Sequence, residues 1–477
     1  PSPRLPLSPS PLIASLRAHR PFFLTAALCS IAFTAILTSG TFRLIYPETF
    51  CNFYDFQALS FLQGRLDVPE EALQEEAFVY AGKIYGYFGP TPALLRFPFV
   101  LFGFAFGELS RSYMVAYFVA ALVATYLIFL HARKLLGGSG NPSPVAVMLL
   151  VGHVALGSTL YFLASRAYVF HEAILCGAAF ALCSCWFSLR HLAAGTGRAW
   201  RWALLCGLLS LHARPPTGLF ALTFLGCVSV AHLIYHLRTR AVAALPRHLG
   251  IGALCVLGVL TFNGLSYLKF KTFDGAPLRY SRPYGPERLA HIEGKSFHVA
   301  NIPYGVYSYF MRPHFRVEPK FPWLYLGSTH PAPEFPAAKL DLPDHTLAIP
   351  WSMPGLFFLT VLAAAAFARA ALRAPLLLTG AAVIPMSLAL FAAVATTQRY
   401  TADWLPFLTC AAALGLASLA PLTARLRRAL SALVAVFTTV AVLLTFALTL
   451  HYQRETVWGV PEEIRQSYQN LRPRLTP

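Results

Sequence analysis

A few residues in this chain combine type and setting in a way that could do chemistry. Asp55 stands in Tyr54-Asp55-Phe56-Gln57-Ala58, shortly after an apolar run. A carboxylate there can act as general base beside a hydroxyl acceptor, or simply cap a helix start. His171-Glu172 follows Ser165-Arg166 on a tight turn, which brings a carboxylate, an imidazole and a guanidinium within about two helical turns. Its plainer use is a local pair of Glu172 with Arg166 or His171. Arg214-Pro215-Pro216 breaks the apolar stretch from Trp200 to Leu237, and a charge at the break between shortened helices is a substrate-site pattern. Gln398-Arg399-Tyr400 with Asp403 repeats the theme, although Arg399 and Asp403, four apart, could also pair on one helix face. The segment Gly82-Lys83-Ile84-Tyr85-Gly86-Tyr87-Phe88-Gly89-Pro90-Thr91-Pro92 sets one lysine among Gly, Pro and Tyr, where backbone N–H groups and an ammonium can meet a phosphate. Lys83, Arg166, Arg214 and Arg399 thus form a set of cations, with Asp55 and Glu172 as their acidic counterparts.

The elements that position these residues are membrane helices. Of the 477 residues 56% are hydrophobic and 12% charged, with a mean hydropathy of +0.56; a soluble fold carries about 25% charged residues. That excludes a soluble globular protein. Eleven apolar runs are expected to span a bilayer: roughly 22–39, 113–130, 144–163, 170–189, 200–213, 217–236, 248–267, 353–368, 375–394, 404–421 and 429–450. The fold class is therefore all-α, a polytopic helical bundle. The net charge of +18 reports topology and not nucleic acid. With the N-terminus inside, the inner segments hold 16 of the 38 Lys and Arg and none of the 20 acids. The C-terminus then lies outside. The first run is read as a retained span, not a signal peptide, because later loops need its phase.

Two outer segments are long, 40–112 and 268–352, while every inner loop is short, so the chemistry is expected on the extracytoplasmic face. In the first, Asn52 to Leu66 reads as a helix and Thr91 to Gly107 as an interfacial or re-entrant one. In and just after the second, the nine prolines from Pro313 to Pro354 preclude long helices, and Tyr304, Tyr307, Tyr309, Phe310, Phe315, Phe321, Trp323 and Tyr325 suit sugar stacking or lipid contact. Trp200, Trp202, Trp351 and Trp404 stand at expected span ends, as interfacial tryptophans do. Eight of nine cysteines lie in apolar runs and only Cys51 in an outer loop, so neither a disulfide framework nor sulfur metal ligation is expected. No nucleotide-binding glycine loop occurs.

In its first 220 residues and one later motif the chain resembles the polytopic C-type glycosyltransferases that use polyprenyl-phosphate sugars, notably the protein mannosyltransferase-like and aminoarabinose transferase group. The likeness lies in Asp55, Ala58, Gly64-Arg65-Leu66-Asp67 and the Gly82 to Pro92 segment before an interfacial helix, then Ser165-Arg166 ahead of an acid, Arg214-Pro215, and Arg399-Tyr400. It departs where Phe56 replaces the second acid of an Asp-Glu pair, and where His171-Glu172 stands for Asp. The resemblance implies Asp55 as the catalytic acid, Lys83 as a phosphate contact and Arg399 as a further one.

Together these features lead to an expected membrane glycosyltransferase: 1–450 as one transmembrane module and 451–477 as an outer tail. A sugar moves from a polyprenyl-phosphate donor to a hydroxyl on a lipid, glycan or protein acceptor by inverting displacement. Asp55 would be the base, Glu172 and His171 would orient the sugar or acceptor, and Lys83, Tyr85, Arg166, Arg214, Arg399 and Tyr400 would bind substrate. No cofactor is required, although Asp55 and Glu172 could share a divalent ion. The absence of a glycosylation sequon with a permitted middle residue leans toward a bacterial inner membrane. The alternative reading is a transporter or flippase for a lipid-linked or anionic substrate.

Overall fold

The computed structural model describes residues 11–454 apart from 139, 195–197, 314, 320–321, 327–333 and 342–345, together with 462 and 466. Phe321 and nearly all of the 451–477 tail lie outside the described residues. Each of the eleven apolar runs is helical. In chain order the helices are α1 (Pro11–Leu37), α2 (Phe53–Leu62), α3 (Thr91–Leu101), α4 (Ser110–Leu135), α5 (Pro144–Leu156), α6 (Thr159–Phe162), α7 (Val169–Ala194), α8 (Ala199–Leu211) and α9 (Pro215–Arg238). They continue as α10 (Leu245–Phe270), α11 (Pro286–His291), α12 (Ile302–Val306), α13 (Ile349–Ser352), α14 (Pro354–Ala365), α15 (Ala370–Ala392), α16 (Leu405–Ala417) and α17 (Ala424–Arg454). Sheet is confined to two antiparallel hairpins, β1 (Phe78–Tyr80) with β2 (Lys83–Tyr85), and β3 (Phe315–Val317) with β4 (Leu324–Leu326).

Eight segments are long and apolar enough to cross a membrane. The other three, α8, α14 and α16, have 13, 12 and 13 residues, short of the ~20 that a bilayer core requires. For α16 the reason is packing: every residue from Leu405 to Ala417 except Phe407 is buried, so it is apolar all round because protein, not lipid, surrounds it. The helices at the periphery are apolar outward instead, as at Leu28 and Ile31 of α1 and Val256, Leu257 and Leu260 of α10.

Successive helices run antiparallel, which divides the bundle into two ends. At one, the start of α7 meets the start of α16 and the long loops; at the other, the C-terminal ends of α7 and α9 meet the start of α10, as the rings of His191, His232 and His248 show. The short-loop end carries Arg133, Lys134, Arg190, Arg198, Arg201, Arg238, Arg240 and Arg247; Arg133 donates to Gly140 O (3.1 Å) and Asn141 O (3.3 Å), as Arg369 does to Ser418 O (2.6 Å).

The two long loops pack on each other at the opposite end. Arg282 N donates to Ala77 O at 3.0 Å, Arg282 pairs with Glu70 at 2.8 Å, and Ser281 bridges Phe78. Several aromatic residues of the second loop are not available to sugar or lipid: Tyr304, Tyr309 and Tyr325 are buried, and Phe310 stacks edgewise on Trp404. Trp404 corrects its expected interfacial place as well, since it is fully buried and its indole donates to Ser387 Oγ at 2.9 Å. Trp202 and Trp351 remain half-exposed. All nine cysteines are free.

Candidate active site

Two ionic constellations stand at the long-loop end. The first is enclosed. α3 is an apolar helix of the first loop with one arginine, and a guanidinium in such a setting must find carboxylates. Arg96 donates from Nη1 to Glu172 Oε1 (2.7 Å) and from Nη2 to Glu172 Oε2 (3.0 Å) and Ser110 Oγ (3.2 Å). Its Nε lies 3.3 Å from Asp55 Oδ2, and the rings of Tyr54 and Tyr113 cover it at 5.2 and 4.7 Å. The side chains of Asp55, Arg96 and Glu172 are 0% exposed. Asp55 and Glu172 are therefore brought together as expected, but the place between them, where a shared divalent ion was one expectation, holds the Arg96 guanidinium. The local Arg166–Glu172 pair is likewise corrected, because the nearer-in-sequence arginine is engaged elsewhere.

Burial pushes the Asp55 carboxyl up to about 6 from an ordinary 3.8, against the pull of Arg96 and with the Glu172 charge adding to the rise. The folded protein therefore binds that proton more tightly than the unfolded chain. The stability it contributes is fully present below about pH 3.8 and is lost as pH rises through about 6, roughly 3 kcal/mol in all. Thermal unfolding in detergent should show this decline for the native protein and a flat profile across the same window for Asp55→Asn.

The second constellation is open to a cavity. Arg214 immediately precedes α9 in extended conformation and donates from Nε and Nη2 to the two oxygens of Asp403 at 2.9 and 2.6 Å. The expected alternative, Arg399 with Asp403, does not form because Gln398–Trp404 is a 3₁₀ turn. In that geometry residues four apart point about 120° away from each other. Leu347 N, donating to Gln398 Oε1 at 2.7 Å, helps hold this segment. Arg399 lies over Phe170 (5.2 Å) and Tyr400 (5.4 Å), and Arg166 over Tyr168 (4.3 Å) while donating to Tyr452 Oη at 2.9 Å. Arg288, of α11, makes a bidentate pair with Asp341 at 2.5 and 2.7 Å.

One carboxylate shares this space with three arginines. Burial raises the half-buried Glu76 above the ordinary glutamate range, against the pull of Arg399, Arg166 and Arg288. Glu76, Arg96 and Arg288 were not singled out in the sequence. For Arg96 a signal existed in the lone charge on an apolar helix; Glu76 sits among four other acids of 67–76 with nothing local to distinguish it.

Beside these groups lies a cavity of ≈ 450 Å³, walled mainly by apolar side chains, many of them from α9, α10 and α15, with Arg214, Tyr400, Tyr87, Asn263 and Asp274 as its polar lining residues. Lys269 of α10 positions part of this wall, donating to Gly86 O (2.8 Å) and Phe88 O (3.2 Å). Arg214 owes its place to Gly177 of α7. A Cβ at 177 would stand 2.4 Å from Arg214 Cβ and 2.7 Å from Thr217 Oγ1. Gly177→Ala should cost about 1–3 kcal/mol of stability by overpacking, read as a lowered unfolding midpoint.

The remaining expected residues lie apart. Lys83, 57% exposed, pairs with Asp67 at 3.5 Å, and Tyr85 packs on Phe270 with ring centroids 5.5 Å apart. Neither lines the cavity; the Gly82 to Tyr87 stretch is a hairpin, not a phosphate nest. His171 is buried with Nδ1 3.0 Å from Leu163 O.

Fold and site together define a multi-pass helical membrane protein with a largely apolar cavity at its long-loop end, lined in part by Arg214. No family model and no curated protein sequence matches the chain. Among solved structures it is similar to the oligosaccharyltransferase of Archaeoglobus fulgidus in its apo form (13% identity, TM-score 0.46, covering 96% of this chain and 60% of that one). It is similar too to archaeal oligosaccharyltransferase AglB from the same organism in complex with an inhibitory peptide and a dolichol-phosphate (13%, TM-score 0.47, 96% and 60%). A third similar structure is ArnT from Cupriavidus metallidurans bound to undecaprenyl phosphate (14%, TM-score 0.43, 90% and 75%). The chain thus spans 60% of the length of the archaeal oligosaccharyltransferase.

Proposed function

We infer that this chain is an integral membrane glycosyltransferase that moves a sugar from a polyprenyl-phosphate donor to an acceptor hydroxyl. The observation that carries this reading is the adjacency of an apolar cavity, ended by Arg214 and Tyr400, to the Glu76, Arg166, Arg288 and Arg399 cluster. An isoprenoid tail needs an apolar slot, its phosphate needs cations, and the acceptor hydroxyl needs a base. A volume of ≈ 450 Å³ suits the phosphate-proximal part of such a tail. Arg399, Arg166 and Arg214 receive the phosphate, and Arg288, already paired to Asp341, holds the loop that closes over it.

In the reaction the acceptor oxygen bonds to C1 of the sugar as the C1–O bond to phosphate breaks. The configuration inverts, the polyprenyl phosphate departs toward the arginines, and the hydroxyl proton passes to a carboxylate. Glu76 is the better base, because it lies in the cationic space, whereas Asp55 is enclosed against Arg96. On the charge rule the site faces the extracytoplasmic side of the membrane.

Protein in liposomes, given synthetic polyprenyl-phosphate hexoses and pentoses with crude acceptor membranes, should release free polyprenyl phosphate with transfer of label. Transfer should fall on the acid side at a pH above the ordinary glutamate range, since Glu76 must be ionised and burial raises it. Absence of any donor cleavage across that panel would remove the reading.

A further inference from the structure

A second group of functional side chains lies at the opposite end of the molecule, where α9 ends and α10 begins. His232 and His236 are four residues apart on α9 and so share one face. His248 of α10 stacks on both, with ring centroids 5.0 and 5.2 Å apart. One ligand-capable nitrogen from each of the three lies within 4.8 Å of the other two, near enough for small ring rotations to bring them onto one ion. His191 at the end of α7 stands behind them, 5.0 Å from His232 by ring centroid.

Polar bookkeeping makes this more than a chance grouping. His191 and His248 are 0% and 3% exposed, yet both nitrogens of His191, and Nδ1 of His236 and of His248, are buried without a hydrogen-bond partner. Buried donors and acceptors are nearly always satisfied, so a cluster of unsatisfied imidazole lone pairs calls for something that accepts them. The bond that does form has the same sense. His232 Nε2 lies 3.2 Å from the His191 carbonyl, which must accept, so the imidazole is N–H at Nε2 and its Nδ1 lone pair is left for a ligand.

The donor set also selects the ion. No Asp or Glu occurs between Glu172 and Asp274. Oxygen-seeking Mg²⁺ and Ca²⁺ find no carboxylate ligands in this stretch of chain, whereas three imidazoles with an open fourth position suit Zn²⁺ and its first-row neighbours. The geometry points to a binding site for a zinc-class transition-metal ion formed by His232, His236 and His248 at the short-loop end of the bundle.

Such an ion would fasten α9 to α10. Alongside their seam opens an apolar groove of ≈ 530 Å³ lined by Gly226, Cys227, Gly252 and Cys255 among others. The opposite ends of the same helices wall the cavity at Arg214, about 30 Å away along α9. The metal is therefore a clasp on the seam and not part of the transfer site.

The test uses the full chain without a polyhistidine tag, stripped with chelator and reconstituted in nanodiscs. Titration with Zn²⁺ against a chromophoric chelator should show one saturable equivalent, and Co²⁺ should give the d–d absorption of a four-coordinate nitrogen site. Zn²⁺ should raise the unfolding midpoint. His248→Ala should weaken Zn²⁺ binding at least tenfold; His236→Asn, at a half-buried position, does the same should the first variant not fold. No saturable binding to the native chain, or equal binding by the His232→Ala/His236→Ala variant, overturns the proposal.

Discussion

Glu76→Gln is expected to lower sugar transfer by about 10²–10⁴-fold, the range that removal of a general base commonly costs, while leaving donor binding nearly intact. The amide keeps the volume and hydrogen-bonding capacity of the carboxylate but cannot take the acceptor proton. It also removes a negative charge that acts on Arg399, Arg166 and Arg288, so the affinity for polyprenyl phosphate should hold or rise. Donor affinity measured by displacement of a labelled polyprenyl phosphate, with turnover measured in parallel, separates these effects. Undiminished turnover in Glu76→Gln would return the base assignment to Asp55. The companion variant Arg399→Ala should show the reverse split, with donor binding weakened at least tenfold.

The second large effect is structural. Arg96→Leu leaves Asp55 and Glu172, both 0% exposed, without their shared counter-charge. Breaking a buried pair in this way costs about 3–5 kcal/mol. The loss should appear as a lowered midpoint in fluorescence-detected chromatography of heated samples, with poor yield at 37 °C. The triple variant Arg96→Leu/Asp55→Asn/Glu172→Gln removes the charges together and should recover most of the stability, because the cost lies in the uncompensated carboxylates. An Arg96→Leu protein as stable as the native one would show that the cluster does not hold α2 and α3 to α7. The same reasoning separates two roles for Asp55. As a structural acid, Asp55→Asn changes the pH profile of unfolding; as a base, it abolishes turnover.

The helices were legible because lipid-facing and core-facing surfaces are both apolar, so each crossing leaves an uninterrupted run in the sequence. All eleven runs are helical, and most bounds lie within a few residues of those expected, but α1 begins at Pro11 and not near 22, and the run 144–163 is broken into α5 and α6. Length was less legible. α8, α14 and α16 stop short where Arg214, Ala366 and Ser418 follow, and no local pattern says that a short helix is shielded by protein instead of reaching across lipid. Trp404 shows the same limit: at a span end an indole can float in the headgroup zone or bury against Ser387, and the residue type is compatible with both.

Charge pairing was legible only as a list of participants. Local rules join Arg166 to Glu172 and Arg399 to Asp403, within a few residues of each other. The partners found are 76 residues apart for Arg96 with Glu172 and 189 for Arg214 with Asp403. The histidine triad could have been noticed in part, since His232 and His236 show helical spacing on their own, but His248 reaches them only through the α9–α10 turn.

What the amino-acid order determined by itself was therefore the set of helices, their alternation, and the segregation of acids from the short-loop end, all consequences of the cost of putting charge or bare backbone into hydrocarbon. Which carboxylate is entombed and which stands among arginines was decided by tertiary packing. Helix ends distant in sequence converge there, and that packing leaves the Asp55 side chain wholly enclosed and Glu76 only half-buried.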